Sequence, residues 1–365
     1  MIRRGVSGAG DPLSSDSSST TFQPQSDLSG PVLVTGGTGS IGSELVRQLL
    51  DAGVSEVRVF SRDDSEQALL RTRLGNPEAL HLIIGDVRDR QAIGEALVGV
   101  ERVFHAAALK HVDLCEANPR ETFLTNVTGT HNVVAESHRQ QVRHFLLIST
   151  DKAVEPVSTL GASKFLAERL VIAAHPLFQD GGTTVLRFGN VLGSRGSLLP
   201  ILIEQLKRQP TIEVTTPLMT RFVCTAEEAA AEAIAASTQT AAGERLVLKS
   251  PALRLGDLIE VFARRAEGHF GWAPGSIAVR QVGARAGERL DEQLVAASEV
   301  GHLEDLGHLY RIASDPVGAF DRLPDDCRSD AIEPLEPEAI GALIDRLDHL
   351  FPAPRDRVTD GGGSP

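Results

Sequence analysis

Tyrosine is almost absent: the only one in 365 residues is Tyr310, far into the C-terminal half. A site built from the N-terminal half therefore has no tyrosine to move a proton. Cysteine is scarce too. Cys115, Cys224 and Cys327 lie far apart with no C-x-x-C spacing, so neither a zinc site nor a disulfide framework is signalled and a reducing cytoplasm is expected. Positive charge is in deficit, with 36 Lys and Arg against 49 Asp and Glu and a net charge of -13. A phosphate backbone rewards clustered cations, so this balance argues against nucleic acid and requires any anionic ligand to be met by locally placed Lys or Arg. No apolar run approaches the roughly 18 residues of a membrane span.

What is present is ordinary globular material: 41% hydrophobic and 23% charged residues, in a chain long enough for two lobes. Residues 1–29 are rich in Ser, Asp and Gly without an apolar h-region, and are expected to be a disordered extension rather than a secretory signal. From Pro31, short β-branched runs alternate with helical periodicity, the pattern of β-α-β units. Strands are predicted at 31–35, 56–61, 80–85, 102–106, 143–149 and 183–188. The fold class is thus α/β: a Rossmann-type doubly wound parallel sheet over 30–190, with a smaller, interleaved C-terminal substrate-binding lobe at 191–221 and 249–353. Residues 222–248, carrying an alanine-rich helix at 225–237, are expected to pack back on the sheet. An amphipathic packing helix is predicted at 337–350 from Ile340, Leu343, Ile344, Leu347 and Leu350, followed by a disordered tail at 354–365.

Between the first strand and the first helix stands Gly36-Gly37-Thr38-Gly39-Ser40-Ile41-Gly42. Glycines belong where a backbone turns sharply and a pyrophosphate must approach helix N–H groups, so this is a dinucleotide site using Gly36, Thr38, Gly39, Ser40, Ile41 and Gly42. The second strand ends Phe60-Ser61-Arg62-Asp63. A hydroxyl followed by an arginine suits a 2′-phosphate, whereas Asp63 comes late for a ribose carboxylate; NADP(H) is favoured over NAD(H). Arg62 also reads as a solvated turn residue. Asp86-Val87 can hold the adenine edge, and the small Ala106-Ala107-Ala108 can pass beneath the cofactor.

Short-chain dehydrogenases carry Tyr-x-x-x-Lys on the helix after the fifth strand. Here that place reads Leu160-Gly161-Ala162-Ser163-Lys164, so the lysine stays and the tyrosine is gone. At the carboxyl end of the fifth strand, where open sheets bind ligands, stands Ser149-Thr150-Asp151-Lys152-Ala153-Val154. A carboxyl beside an amine there can supply an acid and a base; it can equally be a surface pair.

Together these residues resemble the nucleotide-sugar 4,6-dehydratases of the polysaccharide-biosynthesis group, whose typical substrate is UDP-N-acetylglucosamine. The resemblance runs from Pro31 to about Ile312 and includes His105-Ala106-Ala107-Ala108-Leu109-Lys110-His111, Thr125-Asn126-Val127, Arg187-Phe188-Gly189-Asn190-Val191, Gly193-Ser194-Arg195-Gly196-Ser197 and Met219-Thr220-Arg221-Phe222. Two blocks depart from it: the usual Arg-Pro-Gly-Glu-Lys reads Arg285-Ala286-Gly287-Glu288-Arg289, and Leu160 stands where branches of the family have tyrosine or methionine.

The resemblance implies a UDP-sugar substrate, a homo-oligomer, and internal hydride transfer from C4 to C6 with loss of water. Lys152 would take the C5 proton and Asp151 would protonate the leaving C6 hydroxyl. Thr150, Lys152 or a water held by Lys164 are the routes open to the C4 hydroxyl proton, and Lys164 would hold the nicotinamide ribose. Lys110 and Asn126 would lie at the cofactor, and Lys110, His111, Asn190, Arg195, Arg221, Arg285 and Glu288 would serve the substrate; arginine's fork suits its phosphates. No metal site is expected, since His105 and His111 lack partner ligands. Two other readings compete: a nucleotide-sugar epimerase or ketoreductase, and a catalytically silent binding protein.

Overall fold

The computed structural model describes residues 28–178, 181–238, 243–283, 287–347 and 350–351. The expectations for residues 1–27, for the tail at 354–365 and for Arg285 lie outside the described residues. Six strands form where the β-branched runs predict them, each end within one residue: β1 (Val32–Thr35), β2 (Val57–Ser61), β3 (Leu80–Ile84), β4 (Arg102–His105), β5 (His144–Ile148) and β6 (Gly182–Arg187). Between them run α1 (Ser40–Asp51), α2 (Asp64–Arg73), α3 (Arg90–Ala96), α4 (Val112–Ala117), α5 (Pro119–Thr122), a π turn at Phe123–Thr128, α6 (Gly129–Arg139) and α7 (Thr159–Ala174).

The remaining elements are β7 (Asn190–Val191), α8 (Leu198–Leu206), β8 (Thr211–Val214), β9 (Thr220–Cys224), α9 (Ala226–Thr238), β10 (Glu244–Leu248), β11 (Ala252–Arg254), α10 (Leu255–Phe270), β12 (Ala278–Gln281), β13 (Leu303–Asp305), β14 (Leu309–Ile312) and α11 (Pro337–Asp345). The large sheet has nine strands in the order β13-β14-β10-β6-β5-β4-β1-β2-β3. Strands β1 to β6 and β10 are parallel, while β14 and β13 run antiparallel at one edge. The chain grows outward from β1 in one direction and from β4 in the other. That reversal opens a crevice at the carboxyl ends of β1 and β4.

Burial on both faces explains the unbroken apolar strands. On one face, Val32 and Val34 pack with Leu45, Val46 and Leu49 of α1 and with Ala229, Ala230 and Ala233 of α9. The intervening Leu33 points the other way, into a core with Val103, Phe145, Val133, Ala167 and Val171. The alanine-rich helix thus packs back against the sheet. Its start is fixed by a reciprocal cap in which Glu228 N donates to Thr225 Oγ1 at 3.1 Å and Thr225 N donates to Glu228 Oε2 at 3.0 Å.

A separate core joins Leu199 and Leu202 of α8, Ile212 and Val214 of β8, Leu258 and Phe262 of α10, and Ile340 and Ile344 of α11. The helix expected at 337–350 ends at Asp345. Leu347 and Leu350 still turn into this core, with Leu350 N donating to Leu347 O at 2.8 Å, so the apolar spacing outlasts the helix. The segment 249–353, expected wholly in the substrate lobe, also gives β13 and β14 to the large sheet. These short edge strands carry too little alternation to be read from sequence. Tyr310 of β14 is buried among Phe222, Val247 and Leu294, and its hydroxyl donates to Asp326 Oδ1 at 2.7 Å. The single tyrosine is a packing residue.

Under the carboxyl end of the sheet lies a buried charge network. Arg187 of β6 binds Glu168 of α7 at 2.7 Å and Glu299 at 2.9 Å, and donates to Leu294 O at 2.9 Å. Burial opposes its charge, but the two carboxylates outweigh burial and push the guanidinium pKa up. Glu168 also accepts from Ser149 Oγ at 2.6 Å, and Arg245 joins Glu299 at 3.1 Å. Removing one partner of such a pair strands the other charge away from water. Arg187→Met is therefore expected to cost about 3–5 kcal/mol of unfolding free energy in urea melts; a loss below about 1 kcal/mol, the range of an exposed pair, would contradict this account.

Candidate active site

The glycine loop enters the crevice directly from β1. Gly36 has φ +67, and a Cβ there would sit 2.7 Å from Ala107 N, so glycine lets this loop and the segment after β4 touch. A Cβ on Gly42 would be 2.2 Å from Gly36 O, which forces α1 to start against the loop. Gly39 caps α1 with no side-chain hydrogen bond, and the first turn holds no acidic residue. Backbone N–H groups and the positive helix end therefore face the crevice without a competing carboxylate, a cradle that fits a pyrophosphate. Thr38 is buried, and Ile41 packs on the adjoining core.

At the end of β2, Ser61 is buried and accepts from Gln67 Nε2 at 3.1 Å. Asp63 caps α2, accepting from Glu66 N at 2.9 Å. Its carboxylate is thereby committed to the start of the helix. Arg62 is mostly exposed, with Nη1 3.7 Å from Asp86 Oδ2. Burial favours the neutral Asp86 carboxyl, but hydrogen bonds from Arg88 outweigh it and hold the pKa below the usual range. Val87 is buried beside Gly129, and its carbonyl accepts from Asn132 at 3.1 Å.

After β4, Ala106 N donates to Thr35 O at 3.1 Å and Ala107 N to Thr35 Oγ1 at 3.4 Å, and Ala108 is exposed. His105 is buried between Thr35 Oγ1 at 2.6 Å and Thr130 Oγ1 at 3.0 Å. Burial, with a smaller contribution from Lys164, pushes its pKa down to about 3, so it is a neutral hydrogen-bonding link. Asn126, on the π turn, accepts from Leu109 N at 2.8 Å and donates to Leu109 O at 3.0 Å and Ser163 Oγ at 2.9 Å. Its amide is spent on fixing this segment to α7. Lys110 reaches Ser194 Oγ at 3.4 Å, and the His111 ring packs so closely on Gly196 that a Cβ there would lie 2.3 Å from Cε1.

The centre of the site is the short turn after β5. Lys152 Nζ donates to Asp151 Oδ1 at 3.0 Å and Asn190 Oδ1 at 3.2 Å and pairs with Glu292 Oε1 at 3.4 Å. Burial disfavours the ammonium, but Asp151 and Glu292 outweigh burial and raise its pKa. Asp151 is buried and also accepts from Thr150 Oγ1 at 2.8 Å. Its second oxygen, Oδ2, is buried with no hydrogen-bond partner among the described residues. Gly161 seats α7 against this turn, since a Cβ there would be 2.3 Å from Lys152 O. Lys164 is buried one turn further along α7, donating to Ile148 O at 2.6 Å; burial lowers its pKa to about 8 against the pull of Glu168. Leu160 is buried on the same helix.

Two arginines expected at the substrate are engaged elsewhere. Arg195 donates from its backbone N to Ser40 Oγ at 3.0 Å, from its guanidinium to Thr38 O, and pairs with Glu66, so its loop lies across the glycine loop. Arg221 donates to Thr220 O at 2.7 Å, Leu290 O at 2.9 Å, Arg289 O at 2.9 Å and Met219 Sδ at 3.0 Å, while its Nε faces Glu292 at 3.7 Å. All five of its N–H groups are turned to protein. Glu288 is half-buried in the segment that Arg221 grips. Glu292 itself was not among the residues that sequence reasoning selects. Nothing local to Leu290-Asp291-Glu292 marks it, because its partners come from the turn after β5 and from β9.

Residues 32–314 match the model of a family described as "Polysaccharide biosynthesis protein". An uncharacterized membrane protein of Methanocaldococcus jannaschii is 44% identical over 282 residues, 76% of this chain and 84% of that one. A UDP-glucose 4-epimerase of Rickettsia rickettsii is 40% identical over 290 residues, 78% of this chain and 83% of that one. Among solved structures, Pen from Bacillus thuringiensis superposes with a TM-score of 0.82 at 34% identity, covering 87% of this chain and 97% of Pen. DesIV, a dTDP-glucose 4,6-dehydratase from Streptomyces venezuelae with NAD and TYD bound, shares the fold at a TM-score of 0.63 and 24% identity, over 71% of this chain and 86% of DesIV. Among the described residues no helix is long and apolar enough to cross a membrane. The chain belongs to the polysaccharide biosynthesis protein family, on the extended short-chain dehydrogenase fold of nucleotide-sugar epimerases and dehydratases.

Proposed function

We propose that this protein is a UDP-N-acetylhexosamine 4,6-dehydratase that forms a UDP-4-keto-6-deoxy-N-acetylhexosamine. The observation that carries the reading is the Asp151–Lys152 pair at the carboxyl end of β5, with one carboxylate oxygen buried and unpartnered. An epimerase acts on C4 alone, whereas elimination across C5 and C6 needs one group to take a proton and another to give one. The pair supplies both. When bound, a nicotinamide dinucleotide provides the hydride acceptor for C4 and the hydride donor for C6.

Lys152 Nζ takes the C5 proton, and the Asp151 carboxyl gives a proton to the departing C6 hydroxyl. Lys152 begins as an ammonium, so a proton must first cross the 3.0 Å to Asp151. Covering the pair with sugar excludes water and favours the neutral amine and acid over the separated charges. Asn190, whose Nδ2 donates to Phe222 O at 3.2 Å, holds the amine in place. Lys164 orients the nicotinamide ribose, and Lys110 offers positive charge where the substrate and cofactor phosphates meet, while Arg195 holds its loop across the glycine loop. Arg221 acts at one remove, by fixing the segment that carries Glu288 and Glu292. The 4-epimerase reading is favoured by one specific finding, the names of the relatives at 39–40% identity.

NADP(H) is the cofactor proposed, because Asp63 is committed to capping α2 while Arg62 is the exposed cation at the end of β2.

Two outcomes are expected. Incubation with UDP-N-acetylglucosamine in deuterated water should give, by NMR and mass spectrometry, a product short of one water and deuterated at C5. A C4 epimer of unchanged mass would establish the epimerase instead, and an unchanged sugar would sink both. Arg62→Ala should weaken NADP binding by about 10- to 100-fold in titration calorimetry, the loss of one charged phosphate contact, and leave NAD binding unaltered; equal weakening of both would remove Arg62 from the 2′-phosphate.

A further inference from the structure

Glu292 is a buried charged side chain that the dehydration scheme above leaves without a task. Only 5% of it is exposed. Its backbone is held on both sides, with Glu292 N donating to Ser329 Oγ at 2.8 Å and Ser329 N donating to Glu292 O at 3.0 Å. The charged groups facing its carboxylate are Lys152 from the turn after β5, Arg221 from β9, and Asp151 beyond Lys152. Arg221 faces Glu292 at 3.7 Å without a hydrogen bond between them, its other donors going to backbone carbonyls and a thioether, so Lys152 at 3.4 Å is the nearer cation. Asp151, Lys152, Glu292 and Arg221 therefore form one cluster of two carboxylates, an ammonium and a guanidinium, in which both carboxylates are buried and Lys152 stands between them.

The dehydration itself creates a demand that this cluster meets. Oxidation at C4 frees the C4 hydroxyl proton, and removal of the C5 hydrogen frees a second. One of these leaves in water with the C6 oxygen, and the other returns to C5. The protons balance over a turnover, but one must be stored between the first step and the last. With Leu160 in the helical position that tyrosine would occupy, the store lies elsewhere.

We infer that Glu292 is that store, acting through Lys152 as a positioning residue rather than by touching the sugar; the inference rests on the dehydratase reading. Lys152 Nζ passes one N–H proton to Glu292 Oε1 across 3.4 Å as it takes up the proton released at C4. A second transfer, from Lys152 to Asp151, leaves an acid, a free amine and an acid, all neutral. The amine then takes the C5 proton and Asp151 gives its own to the C6 oxygen. After Lys152 returns its proton to C5, Glu292 gives back the stored one, and the ammonium between two carboxylates is restored. Burial and the nearby Asp151 charge raise the Glu292 pKa against the opposing pull of Lys152 and Arg221, which suits a carboxylate that must accept a proton.

Glu292→Gln tests this with two readouts. The first needs no turnover: acetylation of Lys152, followed by peptide mass spectrometry at about pH 9, should run about tenfold faster in E292Q, because losing one flanking carboxylate lowers the amine pKa by about one unit. The second is deuterium exchange at C5 of UDP-N-acetylglucosamine, which should fall by about 100-fold or more while the sugar nucleotide binds within about threefold of wild type, the separation expected of an interaction used only in the reaction. Glu292→Asp, which keeps the carboxylate, should restore slow labelling and part of the exchange, and it carries the test should E292Q fail to fold. Unchanged labelling, C5 exchange at the wild-type rate, or a loss confined to binding would each overturn the inference. If the wild-type protein itself does not dehydrate the sugar, the dehydratase reading falls, and the labelling rate still decides whether Glu292 holds the Lys152 proton.

Discussion

An ammonium held between two carboxylates, with little water to share the charge, is the constraint around which this structure is arranged. Lys152 donates to Asp151 and Asn190 and forms an ion pair with Glu292. A buried charge is tolerated only when paired and hydrogen-bonded, so each partner must be delivered to within a few tenths of an ångström. The fold does this from three directions. Asp151 comes with Lys152 on the turn after β5, Asn190 from β7, and Glu292 from a distant segment gripped by Arg221 of β9. Gly161 lets α7 close on the turn from beneath.

The same logic of paired burial supports the platform below. Glu168 of α7 accepts from Ser149 at the end of β5 and binds Arg187 of β6, which continues to Glu299 and Arg245. Strands β5, β6 and β10 and helix α7 are thus locked in register by charge as well as by apolar packing. Lys164 of α7 and the Lys152 turn are set on this locked corner. The cofactor cradle has a different basis: glycines at 36 and 42 let the loop, the segment after β4 and the start of α1 approach within distances that any Cβ would forbid.

Where the requirement is local in sequence, the site is legible. Gly36 and Gly42 declare themselves because only glycine fits a positive φ or a contact near 2.2 Å, and the strand before and helix after supply the context. Asp151 and Lys152 are marked by their place at the end of a parallel strand. Arg195 and Arg221 are less transparent, because a sequence shows that a guanidinium is present but not which acceptors have taken its donors. Asn126 belongs with them: its amide is consumed by Leu109 and Ser163 on a π turn that no periodicity announces. Glu292 escapes notice because its partners lie far away along the chain, and β13 and β14 because strands of three and four residues show too little alternation.

Lys152 carries the central claim, that proton chemistry at C5 belongs to this paired amine rather than to a tyrosine. The most direct measurement is C5 deuterium incorporation by Lys152→Met with UDP-N-acetylglucosamine in deuterated water, with binding of the sugar nucleotide followed in parallel. The account predicts binding within about threefold of wild type and no deuterium at C5, since the one base at that carbon is gone. Incorporation at the wild-type rate would contradict it.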